Sequence, residues 1–237
     1  YVMAYAATAG NFVSRPAAPP GVVALQRALV WLVGASIAIV FVEPSPYELV
    51  TLASASVFVA TGVRLRLAFI PLLLLLFLLN LGYTISAIPL LDQSTVASWI
   101  ATSWYMAMTV LFVALVIADD TEARLIMLRR GLVVGAVIAS LAAIGGYFHL
   151  VPGGYDLLTL YGRARGTFKD PNVLGAFLIL PALFALQNVV TARFASAVGS
   201  AFSLGVMALA ILLAFSRAAW GGLILTCLLY TSDAADE

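Results

Sequence analysis

The sequence predicts an all-α fold, a polytopic transmembrane helix bundle, on three observations. First, 63% of its 237 residues are hydrophobic and only 10% are charged, whereas soluble domains carry about 25% charged residues. Second, apolar runs of roughly 20 residues recur along the chain, the length a bilayer core demands of a helix. Third, Lys and Arg alternate between successive loops, as the positive-inside bias of membrane insertion requires. The single cysteine, Cys227, and the single histidine, His149, leave neither a disulfide framework nor a His-cluster metal site. No metal is expected at any site, no cofactor is expected, and nothing in the charge pattern suggests a nucleic-acid partner; the expected surroundings are a lipid bilayer.

Residues 1–21 read as a mixed lead and Pro-rich linker ending in Arg15-Pro-Ala-Ala-Pro-Pro20. The transmembrane domain is expected over 22–226, with a long outer loop at 149–170. Its first span is Val22–Val42. Glu43-Pro-Ser-Pro46 makes a turn, and Tyr47–Gly62 is a short second span. Arg64 and Arg66 mark the next loop, and Leu67–Leu91 is a long third span that bends near Gly82 and Pro89. The fourth, Val96–Ala118, carries Trp99, Trp104 and Tyr105 as interface aromatics. Asp119 to Arg130 reads as a solvated charged loop, helical in part, before the fifth span at Gly131–Phe148. Pro171–Val190 and Ala197–Phe215 are the sixth and seventh spans, and Arg217 opens an eighth that is cut off. That makes about seven complete spans plus a truncated eighth.

Both ends read as artificial. The chain opens on Tyr1 rather than Met, as an internal piece of a longer frame would. Residues 227–237 break a hydrophobic span, end in acid and resemble the translation of a transposon-end sequencing adapter.

Counting cations places Arg15, Arg27, Arg64, Arg66, Arg124, Arg129, Arg130 and Arg193 on one side. That side is expected to be cytoplasmic, with the N-terminus inside. The other side holds Glu43, Glu48 and Asp92, and its cations are Arg163, Arg165, Lys169 and Arg217. These four run against the insertion bias, so they need another reason to be there.

Arg163-Ala-Arg-Gly-Thr-Phe-Lys-Asp-Pro-Asn-Val-Leu174 supplies one. Asp170 is suited to an N-cap and Pro171 to the first helical position. A cationic loop feeding a helix N-terminus suits an anion, because loop charge and free backbone N–H groups point the same way. Arg217, in Phe215-Ser-Arg-Ala-Ala-Trp220, lies on the same side. Guanidinium forks match phosphate and pyrophosphate. His149, at the end of the fifth span, reads as an interfacial polar tip and not as a catalytic group.

Arg163 to Gly175, followed one span later by Phe215 to Gly221, resembles the O-antigen ligase and polysaccharide polymerase superfamily of bacterial inner-membrane proteins. The family patterns are R-x-x-G-T-F-x-x-P-N-x-[LF]-G entering one span and S-R-x-x-W between the next two. The likeness covers about Tyr161 to Leu225. It implies metal-independent glycosyl transfer at the periplasmic face, from a glycan on undecaprenyl pyrophosphate to lipid A–core or to a growing polysaccharide. By resemblance, Arg165 and Arg217 are the catalytic residues that stabilise the departing pyrophosphate. Arg163, Lys169, Asp170, Asn172 and Ser216 would complete the substrate subsite. The family's acceptor-activating His belongs to a later outer loop beyond this sequence, so the piece alone is expected to be inactive. The rival reading is a multi-pass transporter or exporter of an anionic lipid or solute, with the same arginines as a binding funnel.

Overall fold

The computed structural model describes residues 19–42, 44–63, 66–191 and 193–233. The lead with Arg15, together with Glu43, Arg64 and the last four residues of the expected adapter-derived tail, lies outside them. The chain is an all-α helical membrane protein. Its helices are α1 (Pro20–Ser36), α2 (Pro46–Ala60), α3 (Ile70–Ala87), α4 (Val96–Asp119) and α5 (Thr121–Tyr147). They continue with α6 (Gly154–Leu158), α7 (Pro171–Thr191), α8 (Phe194–Leu213) and α9 (Arg217–Asp233). Between α6 and α7 lies a small antiparallel hairpin of β1 (Thr159–Leu160) and β2 (Arg163–Ala164). Among the described residues, five helical segments are long and apolar enough to cross a membrane: Leu67–Leu90, α4, α5, α7 and α8. Leu74, Leu75, Phe77, Leu78 and Leu79 of α3 are exposed, as a lipid-facing surface requires.

The expected first span ends earlier than the sequence suggests, and the second is short, as expected. Helix α1 has 17 residues and α2 has 15, so α2 is about 22 Å long against a hydrocarbon core of about 30 Å. Helix α1 stops early because the chain beyond it has other partners. Val40 and Phe41 donate their N–H groups to Thr167 O at 3.0 and 3.1 Å, and the Thr167 hydroxyl donates to Ala38 O. Helix α2 starts on a capping box, in which Ser45 Oγ accepts from Glu48 N and the Glu48 carboxylate accepts from Ser45 N. At the far end, α9 runs through Cys227 to Asp233, where a broken span was expected.

The charged stretch after the fourth span is not a loop. Asp120, at φ −147° and ψ 71°, is a one-residue joint between α4 and α5, and the arginines after it lie on α5 itself. Arg124 is only 7% exposed, contrary to the solvated reading. Its guanidinium sits 5.1 Å from the centre of the Phe58 ring and donates to Val116 O and to Gln26 Oε1. Burial is tolerated there because the charge is hydrogen-bonded and stacked. Trp104 ties two helices together: its indole N–H donates to Thr84 Oγ1 of α3 at 3.0 Å. Beside it Ser103 donates to Asn80 Oδ1, so polar side chains stitch α3 to α4.

Helix α5 is the centre of the bundle. Its Gly131 and Gly135, spaced as G-x-x-x-G, face Gly34, Ala35 and Ala38 of the α1 segment. A Cβ at Gly131 would lie 2.0 Å from Trp31 O, and one at Gly135 would lie 2.4 Å from Ala35 O. Gly34 is as tight, 2.5 Å from Leu128 O. Lipid tails are as apolar as a leucine side chain, so close backbone approach through small residues is what holds membrane helices together. On its other faces α5 offers Ala136, Ala139 and Ala143 to a buried cluster with Leu174, Leu178 and Ala182 of α7 and Met207, Ala210 and Ile211 of α8.

Gly131→Val and Gly135→Val therefore force α1 off α5. Each is expected to cost about 1–3 kcal/mol, the usual cost of overpacking, read as a lower midpoint of thermal unfolding in detergent. Gly205→Ala, at a position where a Cβ meets nothing within 4 Å, leaves that midpoint in place.

Candidate functional site

The loop from α5 to α7 is built as a plug. Tyr161 and Gly162, at φ 53° and 70°, form the two-residue turn of the hairpin. Positive φ at both central positions is the turn twist that matches antiparallel strands. Helix α6 ends at Leu158, and Thr159 turns extended to pair with Ala164. Gly166 follows at φ 54°, pressed so closely on α5 that a Cβ would lie 2.6 Å from Ala139 O. Only glycine combines that backbone with that approach. Thr167 then anchors the loop to the segment after α1, and Phe168 packs on Phe177 of α7 at 4.9 Å between ring centres. His149 stacks on Tyr155 with the rings 4.3 Å apart and 10° from parallel.

Helix α7 begins as the sequence predicts. Asp170 Oδ1 accepts from Asn172 N at 2.7 Å and Asp170 O accepts from Leu174 N, with Pro171 opening the helix. Helix α9 begins in parallel fashion: Ser216, only 4% exposed, places its Oγ 3.4 Å from Ala219 N as a cap. The two helix starts touch. A Cβ at Gly175 would lie 2.8 Å from Ala219 Cβ and 3.5 Å from Ser216 Cβ. The two motif segments therefore converge, with the positive ends of two helices side by side.

Arg163 joins them. Its Nε donates to Ala214 O at 2.8 Å and its Nη2 donates to Asn172 Oδ1 at 2.8 Å. Ala214 is the C-cap of α8, whose last carbonyls lack helical partners. A guanidinium there satisfies one of them and faces the negative end of the helix. The Trp220 indole N–H satisfies another, Ile211 O, at 2.9 Å. Between them Phe215 takes φ 48°, an uncommon conformation for an aromatic residue. Its ring lies 6.3 Å from Tyr147 and 6.2 Å from Trp220.

Arg165 points elsewhere. Its Nε donates to Leu157 O of α6 at 3.2 Å, and its backbone N–H donates to Leu158 O. Its terminal amino groups meet no acceptor among the described residues. Arg217, exposed at the first position of α9, makes no hydrogen bond or ion pair among the described residues. Lys169 is exposed on the approach to α7. Arg163, Asn172 and the Ser216 segment thus form one cluster, while Arg165 and Arg217 flank it without sharing a hydrogen-bond partner. Ser216 and Asp170 serve as caps, and Arg163 ties the segments together. Sequence reasoning missed these ties, although Trp220 and Arg163, flanking an unpaired helix end, are the residue types that supply them.

Compared with protein-family models, with curated proteins and with solved structures, the chain matches none.

Because Arg163 donates from two nitrogens of a fixed fork, lysine cannot reproduce it. Arg163→Lys is expected to loosen the hairpin and the start of α7 by about 1–3 kcal/mol, the range for bonds to a charged group. Hydrogen exchange followed by mass spectrometry should then show faster exchange over residues 159–172 and no change in α3.

Proposed function

We propose that this chain is an O-antigen ligase-like glycosyltransferase of the bacterial inner membrane, acting on a glycan carried by undecaprenyl pyrophosphate. In this reading the shorter helices also cross the bilayer, giving about seven spans and a further one at α9. The N-terminus lies in the cytoplasm and the Arg163–Ser216 end faces the periplasm. The observation that carries the reading is the convergence of the two motif segments. Arg163 bridges Asn172 and Ala214, and Gly175 packs on Ser216 and Ala219, so two helix N-termini meet beside Arg163, with Arg165 and Arg217 flanking them.

That arrangement suits a pyrophosphate leaving group. The acceptor hydroxyl of lipid A–core or of a growing polysaccharide attacks the anomeric carbon and loses its proton to a base. The new carbon–oxygen bond forms as the bond to the phosphate oxygen breaks, and the electron pair departs on pyrophosphate. Arg165 and Arg217, whose terminal amino groups meet no acceptor among the described residues, hold that growing negative charge. Fixed cations stabilise it without reorganising, and no metal is invoked. Arg163 keeps the two helix starts in place, and Lys169 adds charge at the entrance. The reading assigns leaving-group stabilisation to these residues and not acceptor activation.

Farnesyl pyrophosphate, a short soluble analogue of the carrier, tests it directly. Arg165→Ala and Arg217→Ala are each expected to weaken its binding to the purified protein about tenfold, the equivalent of one charge-assisted contact. The same substitutions in the protein expressed from its own gene should abolish surface glycan transfer while leaving it in the membrane. Unchanged binding and unchanged transfer would refute the roles given to both.

A further inference from the structure

The opposite end of the bundle holds a polar cavity that the proposed function leaves unused. It has a volume of about 320 Å³ and lies among α1, the end of α2, and the α4–α5 joint. Gln26, Arg27, Thr61, Asp119, Asp120 and Arg124 supply its polar lining, and Val23 and Val63 its apolar side. Two of its charges are firmly held. Asp119 accepts from Arg66 and faces Arg124 at 3.8 Å, while Arg124 is locked by Val116 O and Gln26. The other two are not. Arg27 and Asp120 approach only to 3.5 Å, with side chains 48% and 44% exposed, which is beyond a good N–H···O bond. A cation and an anion thus stand side by side at the cavity, each with hydrogen-bonding capacity left over.

We propose that this cavity binds the headgroup of a zwitterionic phospholipid carrying a primary ammonium, as in phosphatidylethanolamine. The lining carries two arginines and two aspartates, so it complements a dipole better than a free anion. Arg27 takes the phosphate as a guanidinium fork does, and Asp120 accepts from the ammonium N–H. A quaternary ammonium has no N–H to give, so choline lipids fit less well. The lipid rather than a free solute is the occupant because the cavity sits where membrane-length helices α4 and α5 end and meet. Val23 and Val63 give the first carbons of the acyl chains an apolar wall. Arg124, buried behind them, holds α1, α4 and α5 together, so an occupied headgroup site reports on the packing of all three.

The test offers dioleoyl phosphatidylethanolamine, phosphatidylcholine and phosphatidylglycerol, at equal concentration, to the full chain delipidated in detergent. Bound lipid is counted by native mass spectrometry. Phosphatidylethanolamine should be retained about tenfold over the other two, the equivalent of one charge-assisted hydrogen bond. Arg27→Gln and Asp120→Asn should each remove the preference without lowering the melting midpoint of the lipid-free protein. Glu122→Gln, exposed on α5 and outside the cavity, should leave it intact. Equal retention of the three lipids, a preference that survives both cavity variants, or one that Glu122→Gln removes as well would overturn the proposal. If soluble O-phosphoethanolamine displaces the lipid at equal concentration, the site takes a solute and the lipid assignment falls.

Discussion

The close approach of α1 to α5 is the constraint on which the rest of the bundle depends. Gly34 meets Leu128 O, and Gly131 and Gly135 meet Trp31 O and Ala35 O, at distances no side chain could fill. That contact brings the start of α1 to the α4–α5 joint, where Gln26 and Arg27 reach Arg124 and Asp120. It also sets where α1 ends, and so where Ala38 and Val40 wait for Thr167. One contact between small residues thereby positions polar groups at both ends of the molecule. In lipid this is the contact type expected to carry such weight, because apolar burial offers no gain between helices already surrounded by hydrocarbon.

The loop between α5 and α7 obeys a second membrane constraint. Irregular backbone near a bilayer needs internal partners for its N–H and C=O groups. Here the hairpin pairs with itself, Arg165 and Gly166 donate to Leu158 O, and Thr167 O serves two N–H groups beyond α1. The free carbonyls at the end of α8 are met by Arg163 and Trp220. Residues that look like recognition groups in the sequence therefore carry much of the local structure. This separates the arginines into kinds: Arg163 is a brace, whereas the terminal amino groups of Arg165 and Arg217 meet no acceptor among the described residues.

The all-α membrane character was legible because hydrophobicity over some 20 residues needs no knowledge of contacts. The cap of α7 was legible too, since Asp-Pro-Asn states its own local chemistry. Other features were hidden for physical reasons. Helix α1 ends early because of hydrogen bonds to Thr167, 129 residues away in sequence from their partner Ala38, and apolar content cannot report that. Arg124 lies among charged neighbours and reads as solvated; its burial depends on Phe58 and Gln26 from other helices. The pairing of Gly131 and Gly135 with α1 was hidden too, because a small-residue spacing does not say which helix it meets. Trp104 was legible as an aromatic of the fourth span, but its bond to Thr84 on a neighbouring helix was not.

The two ends differ most in how charge is compensated. Around the α4–α5 joint, each of Asp119 and Asp120 has an arginine within 4 Å. At the loop end, Arg163 meets only neutral oxygens, Arg165 meets one backbone carbonyl, and Arg217 meets none among the described residues. A unit charge 4 Å from its opposite gains about 4 kcal/mol gross at an effective dielectric of about 20. A carboxylate already in place would claim that attraction and leave little for an arriving ligand. Where the partners are neutral carbonyls and amides, the attraction stays available, and the neighbouring N-termini of α7 and α9 add to it. Among the described residues Arg163, Arg165 and Arg217 are in no ion pair an arriving anion would have to displace, whereas an anion reaching the joint must compete with two aspartates. That contrast in compensation, more than the number of cations at either end, is why the proposals place an anion at the loop end and a dipole at the joint.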